Sequence, residues 1–153
     1  MKTETALACG VDACAPKPYI RPMTRNYELS VSAEFCAAHR LDGYPGNCKN
    51  THGHNWGVTV FVLCTELDGL GMGLDFRAIK ALVKEALGSL DHVFLNDLAP
   101  FAAQNPTAEN IARHLFEELS RLLAAGPDTA SARISKVHVA ETPGAGVTYW
   151  EAP

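Results

Sequence analysis

Between Tyr27 and Phe35 every second residue is apolar: Tyr27, Leu29, Val31, Ala33 and Phe35 alternate with Glu28, Ser30, Ser32 and Glu34. A period of two sends one set to each face of an extended chain, so the segment predicts a half-buried strand and excludes an amphipathic helix. A second run, from about His54 to Glu66, repeats the pattern with Trp56, Val58, Val60, Val62 and Cys64 on one face. The period then changes. Asp75 precedes Phe76, Ile79, Leu82, Val83, Ala86, Leu87 and Leu90, which recur at helical spacing behind a residue suited to an N-cap. A second helix is expected from near Thr107, after Asn105 and Pro106, with Ile111, Leu115, Leu119 and Leu122 on one face and a stop at Gly126 and Pro127. Strands near Arg133 to Glu141 and Gly146 to Trp150 flank the turn-forming "TPGAG". The order β-β-α-α-β-β indicates an α+β domain, an antiparallel sheet with its helices on one face.

A chain of 153 residues accommodates one such domain, expected over residues 26–153. Residues 1–25 hold no sustained period and are interrupted by Pro16, Pro18 and Pro22, which reads as a flexible arm. The net charge of −4 argues against nucleic acid or an anionic membrane as partner, and no apolar run is long enough to span a bilayer. Five cysteines, Cys9, Cys14, Cys36, Cys48 and Cys64, make an odd set without a disulfide framework. Free thiols in a reducing cytoplasm are expected, with Cys36 and Cys64 as small buried side chains.

The stretch "NCKNTHGHNW" carries the chemistry. Extending the first strand past Phe35 places His39 on its apolar side, and extending the second backwards places His52 and His54 on the same side as Trp56. If the two strands form an antiparallel hairpin, all three imidazoles converge. Three neutral imidazoles with an open position make a recurring catalytic Zn²⁺ arrangement. Gly53 removes a side chain between two of them, which suits a close approach by backbone or substrate.

Cys48 lies on the long connection between the strands, where two assignments stand open. It is a catalytic thiolate beside the metal, or it is the fourth ligand that closes a structural site. In "SLDHVFLND", Asp91 and His92 are adjacent, a carboxylate–imidazole pair able to relay protons, or else a polar helix end. His114 and His138 read as structural or exposed.

The blocks "FCAAHRL", "CKNTHGH", "SLDHVFLND", "NPTAEN" and "VAET", in this order, resemble the 6-pyruvoyl tetrahydropterin synthase and 6-carboxytetrahydropterin synthase family over about Tyr27 to Trp150. The resemblance implies a tunnelling fold, a four-stranded antiparallel sheet backed by two helices, assembled as trimers or pairs of trimers with active sites at subunit interfaces. It implies Zn²⁺ on His39, His52 and His54, Cys48 as catalytic thiol, and Asp91 and His92 as its partners. Glu141 would anchor the pterin through paired N–H bonds, and Thr107 matches a position that helps hold it. Ala108 stands where relatives often carry a second threonine. The three-residue gap between Cys48 and His52 resembles the bacterial 6-carboxytetrahydropterin synthases of the queuosine precursor route. The expected reaction is conversion of 7,8-dihydroneopterin triphosphate to 6-carboxy-5,6,7,8-tetrahydropterin. Its alternatives are 6-pyruvoyltetrahydropterin formation from the same substrate and a noncatalytic zinc- or pterin-binding protein.

Overall fold

The structure, a computed structural model, describes residues 25–126 and 131–152. The expected N-terminal arm, with Cys9 and Cys14, falls almost wholly outside the described residues. Strand β1 (Tyr27–His39) pairs antiparallel with β2 (His52–Cys64) along its whole length, so the alternation in both segments resolves into one ribbon with an apolar and a polar face. After helix α1 (Phe76–Gly88) comes a two-residue strand, β3 (Val93–Phe94), and after helix α2 (Ala108–Ala125) come β4 (Ala132–Thr142) and β5 (Ala145–Tyr149). The sheet order is β3-β1-β2-β4-β5.

The sheet therefore has five strands where the sequence predicts four, and one pairing is parallel: Val93 and Phe94 lie along Ala37 and Ala38. This strand is too short to show a period. It forms because His92, in the left-handed region at φ 58°, turns the chain so that its N–H reaches the Cys36 carbonyl at 2.6 Å.

Both helices begin as expected. The Asp75 side chain accepts the Arg77 N–H at 2.8 Å, and the Thr107 hydroxyl accepts the Asn110 N–H at 3.3 Å. The core faces of α1 (Ile79, Val83, Leu87) and α2 (Ile111, Leu115, Leu119) are buried in one cluster with Val31, Phe35, Trp56, Val58 and Val60. Phe76 departs from expectation. It keeps the helical phase but sits at the first position of α1 and is 52% exposed. Cys36 departs too: it is exposed, because even-numbered positions of β1 share the face of Glu28 and Glu34, whereas Cys64 is buried as expected.

Trp56 joins the core to the end of the ribbon where the histidines gather. Its indole is fully buried, stacks on Phe35 at a centroid distance of 6.1 Å, and donates its N–H to the Ala37 carbonyl at 3.3 Å. Trp56→Ala is expected to cost about 3–5 kcal/mol in equilibrium urea unfolding, through lost burial and a cavity. Phe76→Ala, on the half-exposed ring, is expected to change stability by less than about 1 kcal/mol in the same measurement.

Candidate functional site

Full-length pairing of β1 with β2 sets His39 directly opposite His52 and Ala37 opposite His54. The three rings meet as the alternation requires, with centroids 4.5 Å apart for His39 and His52, 5.3 Å for His39 and His54, and 5.0 Å for His52 and His54. One ligand atom from each, with a carboxylate oxygen of Glu141, lies within 4.8 Å of every other. Glu141 follows the core-side phase of Val137 and Val139. It is also the extra residue of a β-bulge, since β4 advances from Ala140 to Thr142 while β5 steps only from Gly146 to Ala145.

The outer hydrogen bonds settle which nitrogens face inward. His39 Nδ1 is 2.8 Å from the Pro106 carbonyl and His52 Nδ1 is 2.7 Å from the Asn50 carbonyl. A carbonyl only accepts, so each Nδ1 carries the proton and each Nε2 keeps a lone pair. Burial lowers the pKa of His39 below the usual histidine value, against a raising effect of the Pro106 bond, so the ring is neutral at pH 7. The Nε2 atoms of His39 and His54 are buried without a hydrogen-bond partner. His54 Nε2 lies 3.1 Å from Glu141 Oε1 without an aligned hydrogen bond. Convergent ring nitrogens, two of them buried and unpartnered, with two of the rings oriented by carbonyls and a carboxylate among them, fit a divalent metal ion.

Beside this cluster opens a cleft of about 600 Å³, lined by His39, Glu141, Thr107 and Ala108 together with the loop from Leu41 to Pro45. Its size is that of a small-molecule site. The loop is held against the start of α2 by Asn105, whose side chain accepts the Asp42 N–H at 2.8 Å and donates to the Asp42 carbonyl at 3.0 Å. Thr107 thus has two faces to its placement: it caps α2 and lines the cleft. Gly146, also in the lining, is required there because a Cβ would come within 2.7 Å of the Val139 carbonyl oxygen. Gly53 is not constrained in this way. A Cβ on it would meet only ordinary contacts, 3.7 Å from the Ala37 oxygen, so no close approach of the backbone requires this glycine.

Cys48 sits half-buried in a 3₁₀ turn (Asn47–Lys49), with its carbonyl accepting the Leu41 N–H at 2.8 Å. Its sulfur does not belong to the group of mutually close ligand atoms; the fourth donor there is Glu141. Asp91 and His92 form a pair, Asp91 Oδ1 to His92 Nδ1 at 2.9 Å, but they gather around Cys36 and not Cys48. Asp91 Oδ1 also accepts the Cys36 N–H at 2.8 Å, the main reason its carboxyl is held below the usual range. His114 packs edge-on to Phe101 at 5.7 Å with its pKa lowered by burial, and His138 pairs with the Thr148 hydroxyl at 3.0 Å; neither joins the cluster.

Residues 28–152 match the family model described as 6-pyruvoyl tetrahydropterin synthase. The chain belongs to that family. It is 31% identical over 125 residues to the 6-carboxy-5,6,7,8-tetrahydropterin synthase of Bacillus subtilis, covering 77% of this chain and 81% of the relative. It is 30% identical over 127 residues to the protein of the same name from Rickettsia felis, covering 72% and 90%. Among solved structures, the 6-pyruvoyl tetrahydropterin synthase of Caenorhabditis elegans superposes with a TM-score of 0.72 at 28% identity, over 84% of this chain and 98% of that one.

Within this family member, sequence reasoning missed the carbonyls of Asn50 and Pro106 and the Asn105 clamp. The "NPTAEN" block contained two of these three residues, but read as punctuation it pointed to a helix start and not to ring orientation. Replacing His52 by alanine is expected to lower the divalent metal retained after dialysis from about one ion per chain to near none, while His114→Ala retains it; elemental analysis of both variants checks this.

Proposed function

We propose that the chain is a zinc-dependent 6-carboxy-5,6,7,8-tetrahydropterin synthase. In this reading it acts on 7,8-dihydroneopterin triphosphate, releases acetaldehyde and triphosphate, and supplies the queuosine precursor route in the cytoplasm. The observation that carries the reading is the convergence of His39, His52, His54 and Glu141, with the buried, unpartnered Nε2 of His39 beside a cleft that Glu141 also lines. The shared name of the Bacillus subtilis and Rickettsia felis relatives supports the carboxy product.

His39, His52 and His54 would hold the Zn²⁺, which when bound supplies Lewis-acid polarisation of the substrate's side-chain oxygens. Glu141 would accept paired N–H bonds from the pterin edge, with Thr107 beside it, and leave the substrate side chain over the histidines. Cys48, as thiolate, would remove a proton from the side chain made acidic there. Its sulfur stands outside the ligand cluster, which supports proton transfer over metal closure. His92, held by Asp91, would exchange the proton with Cys48. The pair is not beside Cys48 in the group formed within one chain, which supports a homo-oligomer, a trimer or pair of trimers, in which a neighbouring subunit brings Asp91 and His92 to it.

Purified zinc-loaded protein supplied with dihydroneopterin triphosphate is expected to release acetaldehyde. Triphosphate release with a side chain kept as a pyruvoyl group would assign the chain to 6-pyruvoyltetrahydropterin synthesis instead. Cys48→Ser is expected to lower kcat by roughly 10²–10⁴-fold with zinc content kept. Loss of zinc in that variant would make the thiol a closing ligand and the protein noncatalytic.

A further inference from the structure

The reverse face of the β1–β2 ribbon carries a second convergence of donors. Cys36 and Asn55 are cross-strand partners on the exposed side, and ligand atoms of Cys36, Asp91 and His92 all lie within 4.8 Å of one another. We propose that Cys36, Asp91 and His92 form a second, exchangeable binding site for a thiophilic divalent cation of the zinc class.

The donor chemistry selects the cation. A sulfur, an imidazole nitrogen and a carboxylate oxygen form a mixed soft and borderline set, which suits Zn²⁺ and Co²⁺ over Mg²⁺ or Ca²⁺. In a tetrahedral zinc site neighbouring ligand atoms stand roughly 3–4 Å apart. Side chains already within 4.8 Å need only small rotamer adjustments, and those of Asp91 and His92 are 42% and 77% exposed and free to make them.

The backbone is less free, and that is what makes a site of the cluster. The Cys36 N–H donates to Asp91 Oδ1 at 2.8 Å, and the His92 N–H donates to the Cys36 carbonyl at 2.6 Å. The next two residues then pair with Ala37 and Ala38 as β3. Three donors from two distant segments are thereby tied to the edge of a rigid sheet, and closing them on an ion costs little ordering. Asn55 Oδ1, 3.1 Å from Cys36 Sγ, offers a further oxygen. Nδ1 is the His92 nitrogen that faces Asp91, so an ion held among the three donors takes the place of that hydrogen bond and the ring proton passes to Nε2.

Binding takes the ion in and releases the thiol proton of Cys36 to solvent, with no change of oxidation state. Open to solvent within the single chain, this site is weaker than the buried histidine cluster and fills only when the cation is in excess; in the proposed oligomer it lies where the pair meets the neighbour's Cys48 loop. Its consequence rests on the function proposed above: an ion there occupies Asp91 and His92, the pair assigned to proton exchange, and so couples activity to free metal.

The test is binding alone and needs no turnover, so it stands or falls apart from the assigned reaction. Full-length protein, its histidine centre first filled with Zn²⁺, is titrated with Co²⁺ and followed by the near-ultraviolet thiolate-to-cobalt charge-transfer band. The band is expected to saturate at about one further ion per chain, to vanish in Cys36→Ser, to need at least about tenfold more Co²⁺ in His92→Ala, and to persist in Cys48→Ser. Absence of the band in the wild type, or its survival in Cys36→Ser, would overturn the proposal.

Discussion

The register between β1 and β2 is the constraint from which the site follows. His39 faces His52 only because thirteen consecutive residues of each strand pair without a break, from Tyr27 opposite Cys64 to His39 opposite His52. A slip of one residue would carry every odd-numbered side chain of β1 to the other face relative to its partners and scatter the imidazoles. What forbids the slip is the buried face itself. Phe35 against Trp56, Ala33 against Val58 and Val31 against Val60 would all turn to solvent together, and each large apolar side chain left exposed costs about 1.5–3 kcal/mol. Core and site are therefore specified by one pairing, and Trp56, which touches both, carries the information between them.

The site opposes the fold that makes it. His39 is nearly as buried as the apolar core, yet its inward nitrogen has no hydrogen-bond partner, and His54 shares that condition. A buried polar atom left unpaired costs about 1–3 kcal/mol. The Pro106 carbonyl fixes the cost at His39 by preventing its other ring nitrogen from turning inward to share a proton. Such an arrangement is sensible only where a cation recovers the deficit. The same geometry that destabilises the empty cluster sets its affinity, because rings held in advance lose little freedom on binding.

Much of this was legible in the sequence, and the parts that were not share a cause. Alternation from Tyr27 and from Trp56 is strong enough to project His39, His52 and His54 onto one face. The Asp75 and Thr107 caps were legible because capping is local. β3 was not, since two residues have no period and its parallel pairing depends on the left-handed turn at His92. Cys36 differs for another reason: its even position places it with Glu28 and Glu34 on the exposed face, and in this strand the phase outweighs the general preference of cysteine for the interior. Pro106 and Asn50 act through backbone carbonyls, which any residue type provides, so composition holds no trace of them.

The two faces of the ribbon divide the chemistry. On β1 the odd-numbered face carries His39 to the histidine cluster and the even-numbered face carries Cys36 to the Asp91–His92 pair, so nearby residues of one strand serve environments separated by the thickness of the sheet. Within one chain the sheet blocks direct passage between them. In the proposed oligomer that separation becomes useful, because a pair on the outer face is free to meet the Cys48 loop of a neighbour while the metal stays sheltered in its own subunit. Metal binding would then be a property of the folded chain, and proton transfer a property of the assembly.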